Sequence, residues 1–378
     1  MRILFTCWAW PSHLYAMVPV AWACRAAGHE VLVASQPALS DTITRTGLPA
    51  AVVGRDVDAE QVFRDVVFTP PGADGGGPRV LNLLSQLAET MTGDLADLAH
   101  RWGADLVVSD PTAFAGPLAA AVAGIPAVRH LYGTDLMSAA GRFLPGVLAP
   151  LAERHGVGPV DAFGVATIDP YPAGLQVPVA SRRLPVRPLP FNGPGALPPT
   201  LPQPAGRARV CVTWGTTPGR LDPSLFLAGD VVRALHGTGI DLVVAVAPEQ
   251  RALLGTVPDD VTVLSSPLHL LLPECDAVIG HGGAGTLLTA VTHGLPQLLV
   301  PRLPDHVRHA DRVAAAGAGV VVPAPLVEPA ALVAGLTALL DDPAYRAAAV
   351  RLRDEAASQP TPARLVDDLA ALLAPARG

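Results

Sequence analysis

The sequence contains no lysine, so all 26 of its basic residues are arginine. This absence excludes a Walker A loop, whose lysine contacts the phosphates of a bound nucleotide. The arginines form no run or stripe, and the formal net charge is −7. Nucleic acid is therefore not an expected partner.

Cysteine is also scarce, with residues only at positions 7, 24, 211 and 275. No pair has the spacing of a zinc site, and the scatter does not suggest disulfides, so we expect small apolar side chains in a reducing compartment. No apolar run is long enough to span a membrane, because Pro, Gly, His or Asp interrupts each one. The first apolar stretch, Ile3–Cys7, is too short for a signal peptide. We expect a cytoplasmic protein.

The 378 residues, half of them hydrophobic, are enough for two domains of similar size. In the first half, short apolar strands alternate with segments of helical spacing, which is typical of βαβ units on a parallel sheet. The pattern predicts strands at Ile3–Cys7, Glu30–Ala34, Leu106–Ser109 and Ala127–Leu131, and helices at Leu14–Ala27 and Pro111–Val122. The stretch Phe68–Arg79 has the composition of a mobile loop, and we expect variable, ligand-specific structure there and in Gly133–Gly158.

A proline-rich stretch between Leu184 and Gly206 predicts an extended linker. After it the alternation of strands and helices restarts. The second half predicts strands at Arg209–Thr213, Asp241–Val246, Val261–Leu264, Ala277–Ile279 and Gln297–Val300, with a helix at Pro223–Leu235. The fold class is therefore α/β, with two doubly wound domains joined by a hinge. Ligands on such sheets bind at the carboxyl ends of the strands.

A glycine-rich turn, HGGAGT, follows one of these strands and precedes a helix predicted at Leu287–His293. Glycines at such a turn let backbone N–H groups approach a ligand, and the helix N-terminus adds about half a positive charge. Thr286 can add a hydroxyl and His281 an imidazole donor. The turn thus predicts a site for a diphosphate that needs no metal. The alternative is that the glycines merely permit tight packing and that His281 is a loop histidine with satisfied hydrogen bonds. A dinucleotide site fits less well, because the pattern G-x-G-x-x-G is incomplete here.

The run DAVIGHGGAGTLLTAVTHGLPQLLVPRLPDHVRHADRV resembles the donor-binding signature of GT-B glycosyltransferases of family GT1. The opening SHLYAMVPVAWACRAAGHEVLVASQPAL and the linker PFNGPG resemble the bacterial antibiotic subgroup. Those enzymes transfer deoxysugars from TDP-sugars to polyketide aglycones such as macrolides, anthracyclines and enediynes. The resemblance covers nearly the whole chain. It implies the GT-B architecture, in which two doubly wound Rossmann-like domains face each other across a cleft.

The resemblance also implies a division of labour along the chain. Residues 1–190 would bind the acceptor, residues 191–206 would form the Pro/Gly-rich linker, and residues 207–358 would bind the nucleotide sugar. Residues 359–378, with helical spacing from Pro360 to Ala374, would return to the N-terminal domain.

Matched position by position, the resemblance implies the following donor contacts. The diphosphate would be bound by His281, Gly282, Gly283, Gly285 and Thr286, with Thr216 of the sequence VTWGTTPG. The sugar would be bound by Asp305 and His306, where the family has an Asp-Gln pair. The position at which the family stacks an aromatic ring on the base has no aromatic residue here, so backbone groups around Pro267 and Leu268 are expected to bind the nucleoside.

For catalysis the resemblance implies an inverting transfer, which needs a general base for the acceptor hydroxyl. His13 follows the first strand and is the expected base, because the ordinary pKa of imidazole lies near neutral pH. Asp110 matches the family's orienting carboxylate. Two plainer interpretations stay open: Asp110, followed by Pro111, could cap a helix, and His13 could be bonded to backbone at a helix start.

The pair Asp56 and Asp58 matches the DxD pattern of metal-dependent transferases, but it lies in a polar stretch typical of a surface loop. We expect no metal and no prosthetic group, with a TDP-sugar as co-substrate. The acceptor, a hydrophobic aglycone, is expected to meet aromatic and apolar residues of the first domain. The candidates are Trp8, Trp10, Phe63, Phe68, Tyr132, Met137 and Phe143, although such residues are more often core.

The sequence thus predicts a glycosyltransferase that moves a deoxysugar from TDP to a natural-product hydroxyl. Two alternatives stay open: a nucleotide-sugar epimerase of the same fold, and a non-catalytic nucleotide-binding partner of another transferase. Some members of the subgroup act only with a helper protein, and the sequence neither requires nor excludes a helper or a homodimer.

Overall fold

The computed structural model describes residues 1–58, 60–61, 64, 77–178, 182–198, 201, 206–323 and 328–373. The chain divides into two compact units. The first comprises Met1–Pro170, Val177–Arg187 and Gln359–Gly378, and the second comprises Tyr171–Gln176 and Pro188–Ser358. The short excursion Tyr171–Gln176 into the second unit is a feature that the sequence pattern did not indicate.

The described part of the first unit contains one seven-stranded parallel sheet in the order β3-β2-β1-β4-β5-β6-β7. Its strands are β1 (Arg2–Thr6), β2 (Glu30–Ser35), β3 (Ala50–Val52), β4 (Leu106–Ser109), β5 (Ala127–His130), β6 (Ala166–Asp169) and β7 (Arg183–Pro185). Its helices up to that point are α1 (Pro11–Ala26), α2 (Ser40–Thr44), α3 (Gly77–Glu89), α4 (Thr92–Trp102), α5 (Ala115–Ala123), α6 (Met137–Ala140) and α7 (Leu144–Arg154).

In the second unit, the residues described form a six-stranded parallel sheet in the order β10-β9-β8-β11-β12-β13. Its strands are β8 (Arg209–Thr213), β9 (Asp241–Ala245), β10 (Thr262–Leu264), β11 (Ala277–Gly280), β12 (Gln297–Leu299) and β13 (Gly319–Val321). Its helices are α8 (Thr217–Leu221), α9 (Ala228–Leu235), α10 (Leu268–Leu271), α11 (Ala284–Thr292), α12 (Pro304–Ala315), α13 (Pro329–Asp341) and α14 (Pro343–Ser358).

The last helix, α15 (Pro362–Leu373), belongs to the first unit, where it packs against α1 and β7. It buries Leu365, Val366 and Leu369, and the backbone N–H of Arg187 donates to the carbonyl of Pro360 just before it.

Each sheet has a core on both faces, as the continuous apolar strands predict. In the first unit, every residue of β4 is buried. In the second, β8 alternates between two cores: Val210 and Val212 pack with Trp214 towards α9 and α13, and Cys211 packs with Leu271 of α10.

The strand order reverses at one point in each sheet. β1 lies between β2 and β4, and β8 lies between β9 and β11. Crevices outside the carboxyl ends of such strand pairs are the usual ligand sites of open α/β sheets. In this chain His13 lies in the first turn of α1, directly after the β1 loop, and Asp110 lies in the loop after β4. The loops after β8 and β11 carry Thr216 and His281.

Several helix boundaries differ from the sequence prediction. Helix α1 begins at Pro11 rather than Leu14, because proline fits the first helical position. Helix α5 begins at Ala115 rather than Pro111. The segment predicted as one helix at Pro223–Leu235 is a 3-10 turn, Pro223–Leu225, followed by α9. Helix α11 begins at Ala284, inside the glycine-rich turn.

The two stretches expected to hold variable, ligand-specific structure include helical residues where the structure describes them. In the stretch 68–79, residues 68–76 lie outside the described residues, and Arg79 lies in α3. Helices α6 and α7 occupy much of Gly133–Gly158. All four cysteines are free and buried. No described helix combines the length and apolar character needed to cross a membrane.

Candidate active site

His13 and Asp110 meet in the first unit. Trp10, in extended conformation, precedes α1, and Pro11 opens the helix, so His13 lies in its first turn. Asp110 directly follows β4. Nδ1 of His13 lies 3.2 Å from Oδ1 of Asp110. The His13 side chain is 11% exposed and that of Asp110 is fully buried. The two residues are 97 positions apart in sequence and become neighbours because β1 and β4 are adjacent.

Asp110 does not cap helix α5, which begins at Ala115 with Phe114 before it. Its Oδ1 instead accepts hydrogen bonds from the backbone N–H of Thr112 at 2.8 Å and from the Thr112 hydroxyl at 2.5 Å. Oδ2 is buried and has no hydrogen-bond partner within the described residues. The carboxylate is thus oriented by Thr112 and directed at His13.

Two aromatic side chains hold the His13 ring. Tyr132 stacks on it with ring centroids 4.1 Å apart, and Trp8 meets it edge-on at 5.2 Å. As far as the structure describes the chain, Nε2 of His13 makes no hydrogen bond. A mostly buried imidazole with one nitrogen on a carboxylate and the other unbonded has the arrangement of a general base.

The loop that carries Tyr132 is held by a buried ion pair. Both guanidinium N–H groups of Arg129 donate to the carboxylate of Asp135, at 3.0 and 2.6 Å, and Arg129 also bonds the hydroxyl of Thr167. Burial lowers the pKa of Arg129, and Asp135 opposes that shift. The sequence pattern gave no signal for this pair.

The candidate acceptor residues fall into different settings. Trp8 and Trp10 are 2% and 5% exposed and lie against each other, with ring centroids 4.8 Å apart. Met137 is half-buried at the start of α6, and Phe143 is exposed beneath the guanidinium of Arg142. Phe63 and Phe68 lie outside the described residues.

In the second unit the glycine-rich turn leads into α11, whose N-cap residue is Gly283. Among the residues that the structure describes, no side chain caps this helix start, so its first N–H groups are available to an anion. Gly285 has open space where a Cβ would lie, and Thr286 is buried in the first helical turn. Gly282 adopts a left-handed conformation with φ of 86°.

The ring of His281 is enclosed by two glycines. A Cβ on Gly283 would lie 2.2 Å from its Nε2, and a Cβ on Gly215 would lie 2.7 Å from its Cε1. Gly215, after β8, also has a positive φ of 56°. The loops after β8 and β11 therefore meet at His281, and Thr216, adjacent to Gly215, is exposed beside them.

His281 belongs to a group of three buried histidines. Its ring lies 4.7 Å from that of His306, and Nδ1 of His309 donates to the carbonyl of Gly282 at 3.1 Å. Burial lowers the pKa of all three, most strongly for His281, where His306 and His309 add to the effect. Neutral imidazoles in this group remain N–H donors. His309 is not among the residues expected from the sequence, although its position three residues after His306 places both on one helix face.

Asp305 and His306 open helix α12, with Nε2 of His306 3.8 Å from a carboxylate oxygen of Asp305. Burial would raise the pKa of Asp305, but the nearby histidines His306 and His309 and the N–H groups of the helix start lower it overall. The carboxylate is thus held ionised beside the glycine-rich turn.

Pro267 and Leu268 open helix α10, and the linker lies against them. A Cβ on Gly195 would lie 2.5 Å from Pro267, so only glycine fits there. The side chain of Asn192 accepts from the backbone N–H of His269 at 3.0 Å and donates to Thr289 at 3.0 Å. The linker therefore fixes the start of α10 against α11.

The two aspartates of the DxD pattern bind backbone groups. Asp56 accepts from the N–H of Ala38 and Asp58 from the N–H of Gln61, each at 2.9 Å. In the part of the chain that the structure describes, no group of three or more His, Cys, Asp or Glu side chains is arranged to hold a metal ion.

The chain matches two domain models of one family. The N-terminal domain of "Erythromycin biosynthesis protein CIII-like" matches residues 22–70 and 78–215, and the C-terminal domain of the same family matches residues 231–372.

Characterised proteins are similar over nearly the full length. The 10-deoxymethynolide desosaminyltransferase of Streptomyces venezuelae is 35% identical, over 93% of this chain and 92% of the relative. The aklavinone 7-beta-L-rhodosaminyltransferase of Streptomyces galilaeus is 36% identical, over 93% and 91%. The crystal structure of the glycosyltransferase VinC in complex with dTDP has a TM-score of 0.84 and 35% identity, and covers 99% of each chain.

These matches extend over both units, and they agree with the two parallel-sheet units of the structure. The chain therefore belongs to the erythromycin biosynthesis protein CIII-like family, and it is a nucleotide-diphosphosugar-dependent glycosyltransferase with the GT-B fold, in the antibiotic-biosynthesis subgroup of family GT1.

Proposed function

We propose that this enzyme is an inverting glycosyltransferase that moves a deoxysugar from a TDP-sugar to a hydroxyl group of a hydrophobic natural-product aglycone. The proposal rests on the His13–Asp110 pair, in which one imidazole nitrogen meets a buried carboxylate at 3.2 Å. The substrate classes follow from the relatives, which are named for desosaminyl transfer to 10-deoxymethynolide and rhodosaminyl transfer to aklavinone. VinC binds dTDP.

In this mechanism Nε2 of His13 accepts the proton of the acceptor hydroxyl while the hydroxyl oxygen attacks the anomeric carbon. The bond from that carbon to the diphosphate breaks, and its electron pair leaves with TDP. Asp110 stabilises the imidazolium that forms, as the third member of such arrangements does. A single displacement of this kind inverts the anomeric configuration, which NMR of donor and product would reveal.

The leaving diphosphate would be bound by the second unit. The uncapped start of α11 offers backbone N–H groups, and His281 adds an imidazole donor. Asp305 and His306 would bind sugar hydroxyls, Thr216 a phosphate oxygen, and backbone groups at Pro267 and Leu268 the base. Because these donors neutralise the diphosphate, transfer should persist in a chelator. Loss of activity in EDTA with recovery in Mg²⁺ or Mn²⁺ would contradict this.

The test is His13→Ala, assayed by mass spectrometry with TDP-deoxysugars and a panel of macrolide and anthracycline aglycones. We expect kcat to fall by roughly 100-fold or more while TDP binding is retained, because only the proton acceptor is lost. His100→Ala is the matched control, since His100 is an exposed histidine on α4 of the same unit. It should leave both quantities unchanged.

The same assay separates the alternatives. An epimerase would convert the TDP-sugar with no acceptor present, whereas the transferase should show little beyond slow hydrolysis. A non-catalytic partner would bind TDP, form no glycoside with any aglycone, and show no difference between parent and His13→Ala. Transfer at an unchanged rate in His13→Ala would overturn His13 as the base.

A further inference from the structure

We propose that Thr112 and Trp8 are positioning residues that select the tautomer of His13 able to act as a base. The inference rests on the proposed function, in which Nε2 of His13 takes the acceptor proton. A neutral imidazole can do so only when its single proton is on Nδ1. The contacts around Nδ1 determine where that proton lies.

The hydroxyl of Thr112 lies between three groups. It is 2.5 Å from Oδ1 of Asp110, 2.9 Å from Nε1 of Trp8 and 3.3 Å from Nδ1 of His13. A hydroxyl has one proton to donate and two lone pairs. Which neighbour receives that proton decides whether Nδ1 of His13 faces a donor or an acceptor.

Trp8 cannot be the neighbour that receives the Thr112 hydroxyl proton, because an indole N–H only donates. Its hydrogen bond occupies a lone pair of the Thr112 oxygen. The shortest remaining contact is to Oδ1 of Asp110, which as an ionised carboxylate only accepts. The hydroxyl proton therefore lies towards Asp110.

With the hydroxyl proton directed at Asp110, the two described groups within hydrogen-bond distance of Nδ1 of His13 are both acceptors: Oδ1 of Asp110 at 3.2 Å and the Thr112 oxygen at 3.3 Å. Nδ1 must then carry the imidazole proton, and Nε2 is left as the base. Without the indole, the hydroxyl could turn and donate to Nδ1, which would put the proton on Nε2 and disable it.

Burial keeps water from substituting for these partners. Trp8 is 2% exposed, Thr112 is 8% exposed and Asp110 is 2% exposed. Trp8 also packs edge-on against the His13 ring at 5.2 Å, so one side chain both confines the ring and orders the hydroxyl. Trp8 therefore helps to position the base His13, a role distinct from the contact with the acceptor substrate that is expected from the sequence.

Thr112→Val tests the inference, because valine keeps the side-chain shape and the backbone N–H bond to Asp110 but removes the hydroxyl. We expect kcat to fall by roughly 10-fold or more, with the KM for the TDP-sugar unchanged. Thr112→Ser, which restores the hydroxyl, should recover most of the rate. Trp8→Phe keeps an aromatic ring but removes the N–H, and it should fall between the two. TDP binding and thermal unfolding establish that each variant is folded.

A spectroscopic measurement distinguishes positioning from a structural effect. In protein labelled with ¹⁵N-histidine, the His13 signals, identified by their loss in His13→Ala, should show Nδ1 protonated in the parent. They should show a mixture of tautomers in Thr112→Val and Trp8→Phe. An unchanged tautomer in both variants, or a Thr112→Ser rate as low as that of Thr112→Val, would overturn the inference.

The same variants distinguish failure of the proposed function from failure of the role of Thr112 and Trp8. Parent-like transfer by His13→Ala would overturn both proposals, because there would be no base to position. Parent-like kcat in Thr112→Val together with an inactive His13→Ala would overturn only the role of Thr112 and Trp8.

Discussion

Several histidines of this protein differ in the group that meets Nδ1. Nδ1 of His13 faces a carboxylate, whereas Nδ1 of His130 donates to the carbonyl of Leu131 at 2.9 Å and that of His309 donates to Gly282. A bond to a carbonyl satisfies the neutral ring but supplies no counter-charge. Nε2 of His130 and of His309 is buried with no hydrogen-bond partner in the ranges that the structure describes. The surroundings of these two rings therefore favour the uncharged form.

His130 should make the first unit sensitive to acid. Burial lowers its pKa from 6.5 to about 4, although the carbonyl of Leu131 and Asp110 oppose the shift. Between these values the unfolded chain binds a proton that the folded chain does not, so the free energy of unfolding falls as the pH falls. A shift of this size corresponds to about 3 kcal/mol once the pH is below 4.

His130→Asn should remove this contribution while keeping a side-chain N–H donor. Urea denaturation from pH 7 to pH 4, followed in the first unit, should show a smaller loss of stability than in the parent. His100→Asn, at an exposed position of the same unit, should follow the parent curve. An identical pH dependence for His130→Asn and the parent would contradict the assignment.

At the scale of elements, the turn before α11 and the loop after β8 together enclose the His281 ring. The ring fits only because Gly215 and Gly283 have no Cβ atoms. Neither loop can thus change its glycine without moving the imidazole expected to meet the diphosphate.

Gly283→Ala tests this arrangement. Its Cβ would lie 2.2 Å from Nε2 of His281, which is closer than such atoms can approach, so the ring must leave its place. We expect weaker TDP binding in calorimetric titration and a loss of about 1–3 kcal/mol in stability from overpacking. Gly285→Ala is the matched control for stability, because no described atom beyond the local helix backbone lies within 4 Å of its Cβ. That variant should be as stable as the parent or more so, by up to about 1 kcal/mol. TDP affinity and stability like those of the parent in Gly283→Ala would contradict the claim that this glycine keeps the His281 ring in place.

The sequence predicted these elements well where one local pattern determines them. Strand β4 was predicted with its observed bounds, and HGGAGT does lie between a strand and a helix, as predicted; that this turn binds a diphosphate stays a prediction. The start of α1 was missed, because helical spacing was counted from the first apolar residue and not from Pro11. The sequence leaves two roles open for Asp110, since a carboxylate before proline satisfies a helix-cap rule equally well. In the structure Asp110 lies beside His13 and does not cap helix α5, and its orienting role stays a prediction.

Contacts between distant segments were beyond local patterns. The hydroxyl of Tyr171 donates to the carbonyl of Ala284, and Arg312 donates to the carbonyls of Leu175 and Gln176. Nothing in the sequence of the segment Tyr171–Gln176 predicts that it belongs to the second unit and contacts α11 and α12. The information lies in the surfaces of the second unit, which a single-sequence pattern does not contain.

At the scale of the whole molecule, local sequence patterns likewise do not predict which unit each C-terminal helix packs against. Helices α14 and α15 follow each other closely in the chain, and both have an apolar face. That face requires burial but does not say against which domain. In the structure α14 packs in the second unit, with Leu352 in a core with Leu287 and Leu299, whereas α15 packs on α1 and β7 of the first.

Matched substitutions in these two helices should therefore destabilise different units. Leu365 of α15 is fully buried and Leu352 of α14 is 5% exposed. Each leucine-to-alanine change should cost about 2–5 kcal/mol, because it removes buried methyl groups and leaves a cavity. In hydrogen exchange with peptide-level mass spectrometry, Leu365→Ala should lower protection in β4 and leave β11 unchanged, and Leu352→Ala should do the reverse. Equal loss of protection in both strands from either change would mean that the two units unfold as one, and that α15 does not stabilise the first unit on its own.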